Sequence, residues 1–269
     1  MSKIQIDLLK REYNSEVDFK FMDQIDNIFR DKAFFEPVTY EEDDRTVARE
    51  KVNTRIIRFL REAKKIRPIS EPINDINLWV AFMTTPFLYN DCYSTKLSVN
   101  LQLYHKSIVN LGTEQHEKFR IRCEESLDIG CFALTELGHG SNARGIETTA
   151  HFDKDTKEFI IHTPRPESMK FWIGGAAKTS NISVIFAQLY IGDKCFGPHA
   201  FIVPLRDRET HMPLPGIILG DCGKKIGLDG VDNGFIIFDH FRIPHDNLLN
   251  RLSNVSEEGE FRTFIESSD

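Results

Sequence analysis

"TTAHFDKDTKEFIIHTP", Thr148–Pro164, reads as two short runs of alternating apolar and polar residues around a turn at Asp153–Thr156. Alternation has the period of a strand half-buried in a sheet, and Asp and Thr at the centre supply turn chemistry. The stretch is therefore a hairpin. It closes at Pro164, a residue without the N–H that a sheet ladder needs. Downstream the same grammar continues in "NISVIFAQLYIG", "HAFIVPLRD", "GIILGD" and "NGFIIFDHFRIP", punctuated by Gly, Pro and Asp. No helical pattern of useful length separates these runs, so the sheet is expected to be mainly antiparallel, as a barrel or a sandwich.

Upstream of Gly130 the period changes. "TVAREKVNTRIIRFLREAKKI" sets Val47, Val52, Ile56, Phe59 and Leu60 at helical spacing among charged residues. The acidic run Glu41–Asp44 ahead of it suits the positive end of a helix dipole. "NDINLWVAFMTTPFLYN" and "SVNLQLYHKSIVNLGTEQHEKFRIRCEES" are further helices; Pro86 is expected to break or kink the first, and Gly112 to end a helix at Leu111. Phe19, Phe21, Phe29, Phe59 and Phe82 read as core. The sequence thus predicts an α+β multidomain chain. An amino-terminal α-helical domain covers residues 1–130 and an antiparallel, barrel-like β-domain covers 131–250. Residues 251–269 are the start of a linker or helix, which the ending "EEGEFRTFIESSD" interrupts.

With 269 residues the chain has room for one large domain or two ordinary ones. Its composition, 41% hydrophobic and 28% charged, is globular, and no apolar run is long enough to span a membrane. A net charge of -7 argues against nucleic acid as a partner, since phosphate binding wants a basic face. The five cysteines are scattered without a CxxC pair, which suits buried thiols in a reducing compartment rather than disulfides or a zinc site. Neither end carries a readable address: the start lacks a secretory apolar core and is too acidic for a mitochondrial presequence, and the end is not an SKL-type signal.

One stretch fits neither grammar. "CFALTELGHGSNARG", Cys131–Gly145, begins like a buried strand and turns at once into small polar residues, with Gly138, Gly140 and Gly145 inside eight positions. Such a run means a backbone that bends tightly or is approached closely. Other candidate motifs resolve into plainer readings. "GGAAKTS" has the wrong spacing for a phosphate-binding loop and leads into a strand. "DGVDNG" and "DKDTKE" lack calcium ligands where a calcium loop requires them and read as turns. His139 stands without a second His or Cys at ligand spacing, so a structural hydrogen bond is its expected role, and no metal site is predicted. Asn181–Ser183 and Asn254–Ser256 match glycosylation acceptors by chance in a chain without a secretory signal.

Six segments in order, "CFALTELGHGSNARGIETTAHFD", "EFIIHTP", "KFWIGGAAKTSN", "HAFIVPLRD", "PLPGIILGDCGKKIGLDGVDNGF" and "RIPHDNLLNR", resemble the acyl-coenzyme A oxidases of the acyl-coenzyme A dehydrogenase superfamily. The wording leans toward the branch acting on methyl-branched, pristanoyl-type chains. The resemblance implies FAD as cofactor, with Thr135 hydrogen-bonding the flavin, Gly174 of the W-x-G-G element meeting it, and Trp172 as a wall beside it. It places Gly138, Gly140 and Ser141 where the acyl thioester and pantetheine pass. The implied chemistry is α,β-dehydrogenation of a fatty acyl-coenzyme A to the trans-2-enoyl thioester, with oxygen reduced to hydrogen peroxide, in peroxisomal β-oxidation by a homodimer. The family's catalytic glutamate base belongs to a carboxyl-terminal helical domain beyond residue 269. Glu136 is rejected for that role because its block serves flavin and substrate placement. Two other readings stay open: a non-catalytic relative keeping these domains as a binding module, and a dehydrogenase passing its electrons to a flavoprotein.

Overall fold

The structure, a computed structural model, describes residues 8, 12, 17–31 and 44–264. It divides into two compact units, one running to Leu97 and including residues 227–230, the other formed by residues 98–226 and 231 onward.

The first unit is helical: α1 (Phe19–Arg30), α2 (Arg45–Ile66), α3 (Ser70–Asn74), α4 (Ile76–Tyr89) and α5 (Asp91–Leu97). Three of these helices are capped by an aspartate. Asp18, Asp44 and Asp75 accept the N–H of Phe21, Thr46 and Asn77 at 2.9, 2.8 and 2.8 Å, satisfying donors that a helix start leaves open. Glu41–Asp43 of the acidic run lie outside the described residues. On α2, Val52, Phe59 and Leu60 are buried while Val47, in the first turn, is exposed. Phe21, Phe29, Phe59 and Phe82 form the core, with Phe59 centred 5.1 Å from both Phe29 and Phe82. Phe19 is only half-buried. Pro86 does not break α4, which runs on to Tyr89. In the final turn a missing N–H removes a single bond, and the ring is buried.

The second unit opens with a π-helix (Ser98–His105), α6 (Lys106–Leu111) and α7 (Glu117–Glu124). Helix α6 ends at Leu111, as the sequence predicts, with Gly112 N–H on Ile108 O at 2.8 Å. The glycine serves close approach there: its φ is -90°, and a Cβ would sit 2.5 Å from Ile108 O.

A six-stranded sheet, curled as a half-barrel, is built from β1 (Gly130–Ala133), β2 (Thr149–Asp153), β3 (Glu158–His162), β5 (Ile182–Ile191), β6 (Lys194–Pro204) and β9 (Phe241–Pro244). A three-stranded sheet combines β4 (Lys170–Gly174), β7 (Ile217–Asp221) and β8 (Asn233–Phe238). The hairpin read from Thr148–Pro164 is β2–β3, with Asp153 accepting the N–H of Asp155 at its turn. Side chains from both sheets, among them Ile161, Phe201, Ile236 and Phe238, share one core. Where the sequence suggests a linker or helix start after residue 251, β10 (Ser253–Val255) and β11 (Phe261–Thr263) pair antiparallel.

Most pairs are antiparallel, but β1 and β2 both run parallel to β5. Gly130–Ala133 lie against Ile182–Ile185, and Thr149–Phe152 against Gln188–Ile191. The two short strands therefore lie end to end along one edge of β5. The chain leaves that edge opposite Ile185 and returns opposite Gln188. Residues 134–148, the glycine-bearing stretch, are the excursion between.

Just ahead of β1, the buried Asp128 carboxylate takes Arg122 at 2.6 and 3.1 Å, Arg208 at 3.0 and 2.9 Å and Asn181 at 2.9 Å. Burial opposes its charge, but these donors outweigh burial and hold its pKa to about 2. A depressed carboxylate pKa stabilises the fold above the unfolded value near 4 and loses that contribution as pH falls toward 2. Asp128→Asn should therefore cost roughly 2–3 kcal/mol at pH 7 and flatten the acid side of the stability curve. Denaturant unfolding at pH 7 and pH 3 checks both; equal losses at the two pH values would contradict it.

Candidate functional site

The excursion is tied down by its least conspicuous residue. Glu136 is buried, and its carboxylate takes five donors. Oε1 accepts Thr148 N at 2.9 Å, Thr148 Oγ1 at 2.6 Å and Lys170 Nζ at 3.0 Å. Oε2 accepts Glu147 N at 2.8 Å and lies 3.0 Å from His139 Nδ1. Burial pushes the Glu136 pKa up, but the Lys170 charge and the Thr148 donors prevail and hold it below the ordinary carboxylate range. Lys170 has no exposed side-chain surface, and burial pulls its pKa down to about 8 against the pull of Glu136. A carboxylate so committed has no electron pair left for a substrate proton. His139 has the structural hydrogen bond expected of it.

Backbone bonds stitch the same excursion to neighbouring chain. Leu137 N–H donates to Met169 O at 3.0 Å and Gly138 N–H to Glu167 O at 2.8 Å. Thr135 is joined to β4 twice: its Oγ1 donates to Phe171 O at 2.8 Å, and Phe171 N–H donates to Thr135 O at 3.0 Å. Thr135 and the strand that carries Trp172 and Gly174 are thus one hydrogen-bonded unit. None of the three glycines of the excursion has a positive φ. Gly138 and Gly145 serve close approach instead, to Glu167 and to the Asn142 side chain, while a Cβ on Gly140 would meet nothing within 4 Å. Gly138, Gly140 and Ser141 are exposed.

Strand β4 is irregular where it matters. In a regular strand Lys170 and Trp172 would face the same side, yet Lys170 is buried and Trp172 is 53% exposed. The register against β8 shifts between Lys170 and Ile173, and Trp172 has φ +65°. A left-handed backbone is costly for a bulky residue, and the bulge turns the indole outward. Beyond it, a Cβ on Gly174 would lie 3.2 Å from Val99 Cγ2 on the π-helix. Gly175, at φ +85°, is the glycine whose conformation demands it.

The following loop, "GGAAKTS", is clamped by two residues that the sequence reading passed over. Asp232 accepts the N–H of Lys178 and Thr179 at 2.8 Å each and Thr179 Oγ1 at 2.7 Å. Arg206 donates to the carbonyls of Ala176, Ala177 and Ser180. These N–H groups are spent inside the protein. "DGVDNG", read as a turn, supplies that clamp. Its Asp was legible as polar but not as buried.

Trp172 is half-exposed, Gly174 is partly exposed, and the Thr135 hydroxyl donates its proton to Phe171 O. Residues 131–241 match the family described as "Acyl-CoA dehydrogenase, middle domain". The chain is 41% identical over 236 residues to acyl-coenzyme A oxidase 2, peroxisomal, of Arabidopsis thaliana, covering 85% of this chain and 34% of that protein. It superposes on acyl-CoA oxidase 3 of Yarrowia lipolytica with a TM-score of 0.82 at 33% identity, over 91% of this chain and 35% of that one.

This chain belongs to the acyl-coenzyme A oxidase family. Acyl-CoA oxidase-1 of Caenorhabditis elegans, in a structure complexed with FAD and ATP, matches with a TM-score of 0.78 at 30% identity over 91% of this chain and 36% of its own. This oxidase-family chain spans about a third of the length of such relatives. The match is to the family and singles out no branch of it, so the lean toward methyl-branched chains gains no support. Among the described residues no helix is long and apolar enough to cross a membrane.

Proposed function

We propose that this chain supplies the flavin- and acyl-coenzyme A-facing wall of a peroxisomal acyl-coenzyme A oxidase that works as a homodimer. The functional division is a helical part to residue 130 and a β-domain over 131–250. Thr135, Trp172 and Gly174 would hold one face of FAD, and Gly138, Gly140 and Ser141 would border the path of the thioester and pantetheine. FAD bound there supplies hydride acceptance from the β-carbon of a fatty acyl-coenzyme A and transfer of the electrons to oxygen, giving hydrogen peroxide. The chain's own residues position and exclude. Thr135 is held by Phe171, Trp172 is turned outward by the bulge, and the Glu136–Lys170 pair fixes the excursion that carries Thr135.

The observation that carries the reading is the pair of hydrogen bonds between Thr135 and Phe171, which ties the hydroxyl-bearing residue to the strand that carries Trp172 and Gly174. Removing the α-proton needs a base within hydrogen-bond reach of it. Glu136 is consumed by its five donors, and Glu147 is paired with Arg165. The resemblance to the family assigns the base to a glutamate outside this chain. The 269-residue chain should produce no peroxide from any acyl-coenzyme A, even with excess FAD, in a coupled peroxide assay. Steady production that disappears in Glu136→Gln would overturn the assignment.

A further inference from the structure

Away from the residues assigned to the flavin, β3 ends at His162, beside the connection from β8 to β9. Thr163 N–H donates to Phe238 O at 2.9 Å, and Phe238 N–H donates to Thr163 Oγ1 at 3.0 Å. On the other side, Ile161 of β3 pairs with Phe241 of β9. The two residues between Phe238 and Phe241 are Asp239 and His240. Asp239 N–H is fixed on Gly216 O at 2.9 Å, and His240 has φ +51°. The ladder and the turn thus hold His162, Asp239 and His240 together from both sides. One ligand atom from each lies within 4.8 Å of the others.

We propose that His162, His240 and Asp239 form a binding site for a single first-row transition cation, zinc in particular. Two imidazoles and one carboxylate suit zinc, nickel or copper, whereas calcium and magnesium want all-oxygen shells. His162 Nδ1 is buried without a hydrogen-bond partner, an unsatisfied polar atom whose tautomer a metal would fix. The two rings stack with centroids 3.9 Å apart. Because an imidazole electron pair lies in the ring plane, sharing one ion requires His240 to turn out of the stack. Its side chain is 67% exposed, with Asp239 Oδ1 at 2.8 Å from Nδ1, so little packing resists that turn. Water completes the shell. The bound ion would pin the end of β3 to the β8–β9 connection.

Calorimetric titration of the chelator-treated 269-residue chain with zinc chloride tests this directly, with a thermal melt alongside. One zinc per chain and a raised melting temperature are expected. His240→Ala removes an exposed ligand without disturbing the core and should weaken binding at least about 100-fold, and Asp239→Asn about tenfold. His162→Gln, checked for folding by circular dichroism, should match His240→Ala. Absence of saturable zinc binding would overturn the proposal. So would zinc affinity that survives His240→Ala, the result expected if the exposed thiol of Cys195 were the ligand instead.

Discussion

Lys170→Met is expected to destabilise the β-rich unit by about 3–5 kcal/mol, the cost of leaving a buried charge without its partner. Methionine keeps the length and apolar stem of lysine, so the loss is chiefly electrostatic. Glu136 keeps four donors in the variant but loses the buried ammonium, and Leu134 O loses the same group, which lies 3.1 Å from it. Glu136→Gln should be costly as well, because an amide NH2 turned toward Lys170 or toward the Thr148 and Glu147 N–H groups sets donor against donor. Combining the two substitutions removes both charges, so the double variant should lose clearly less than the sum of the singles. The chain has two tryptophans, Trp79 in the helical unit and Trp172 in the β-rich one. Denaturant unfolding followed by Trp172 fluorescence in a Trp79→Phe background reports the relevant unit. A loss below about 1 kcal/mol for Lys170→Met, the range of exposed ion pairs, would mean that the pair does not anchor the excursion.

Gly174→Val should largely abolish flavin retention by the complete protein. The Cβ direction is already filled by Val99 at 3.2 Å, with Val231 at 3.9 Å, so a branched side chain must displace the π-helix or project over the exposed backbone. Overpacking of this kind typically costs about 1–3 kcal/mol, and ~1.4 kcal/mol is tenfold in affinity. Flavin absorbance after gel filtration reads the effect independently of turnover. Thr135→Ala should retain flavin better and lose rate instead, by roughly 10²–10³, as expected when a hydroxyl that turns from Phe171 O to the flavin no longer donates to developing charge. Gly140→Ala is the control, since its Cβ would meet nothing within 4 Å, and its flavin content should equal that of the parent. Full flavin retention by Gly174→Val would remove Gly174 from the site.

What the sequence made legible was local. The β2–β3 hairpin, the acidic start of α2 and the end of α6 each depend on residues within a few positions of one another. The pairing of β1 and β2 along a single edge of β5 was hidden, because register between strands some 40–50 residues apart is set by the shared core and by no turn. Lys170 was hidden for a related reason: a lysine reads as surface until a partner 34 positions away is brought beside it. The outward turn of Trp172 depends on a bulge with no glycine to announce it. The β10–β11 pair did carry a signal. Val255 and Phe261 flank a turn in which Gly259 has φ +81° and donates to Ser256 O at 2.9 Å. The Thr135, Trp172 and Gly174 assignments came from family wording; the sequence did not foretell the network that holds them.

The most direct test of the central claim is anaerobic mixing of the complete, flavin-loaded protein with a fatty acyl-coenzyme A, followed by admission of air. The account predicts rapid bleaching of the flavin absorbance, its return with oxygen, and one peroxide released per flavin reoxidised. A flavin spectrum unchanged by the thioester, or a complete protein that holds no flavin, would contradict the account and leave a binding module. Bleaching without peroxide on aeration would contradict the oxidase assignment and point to a dehydrogenase that hands its electrons to another flavoprotein.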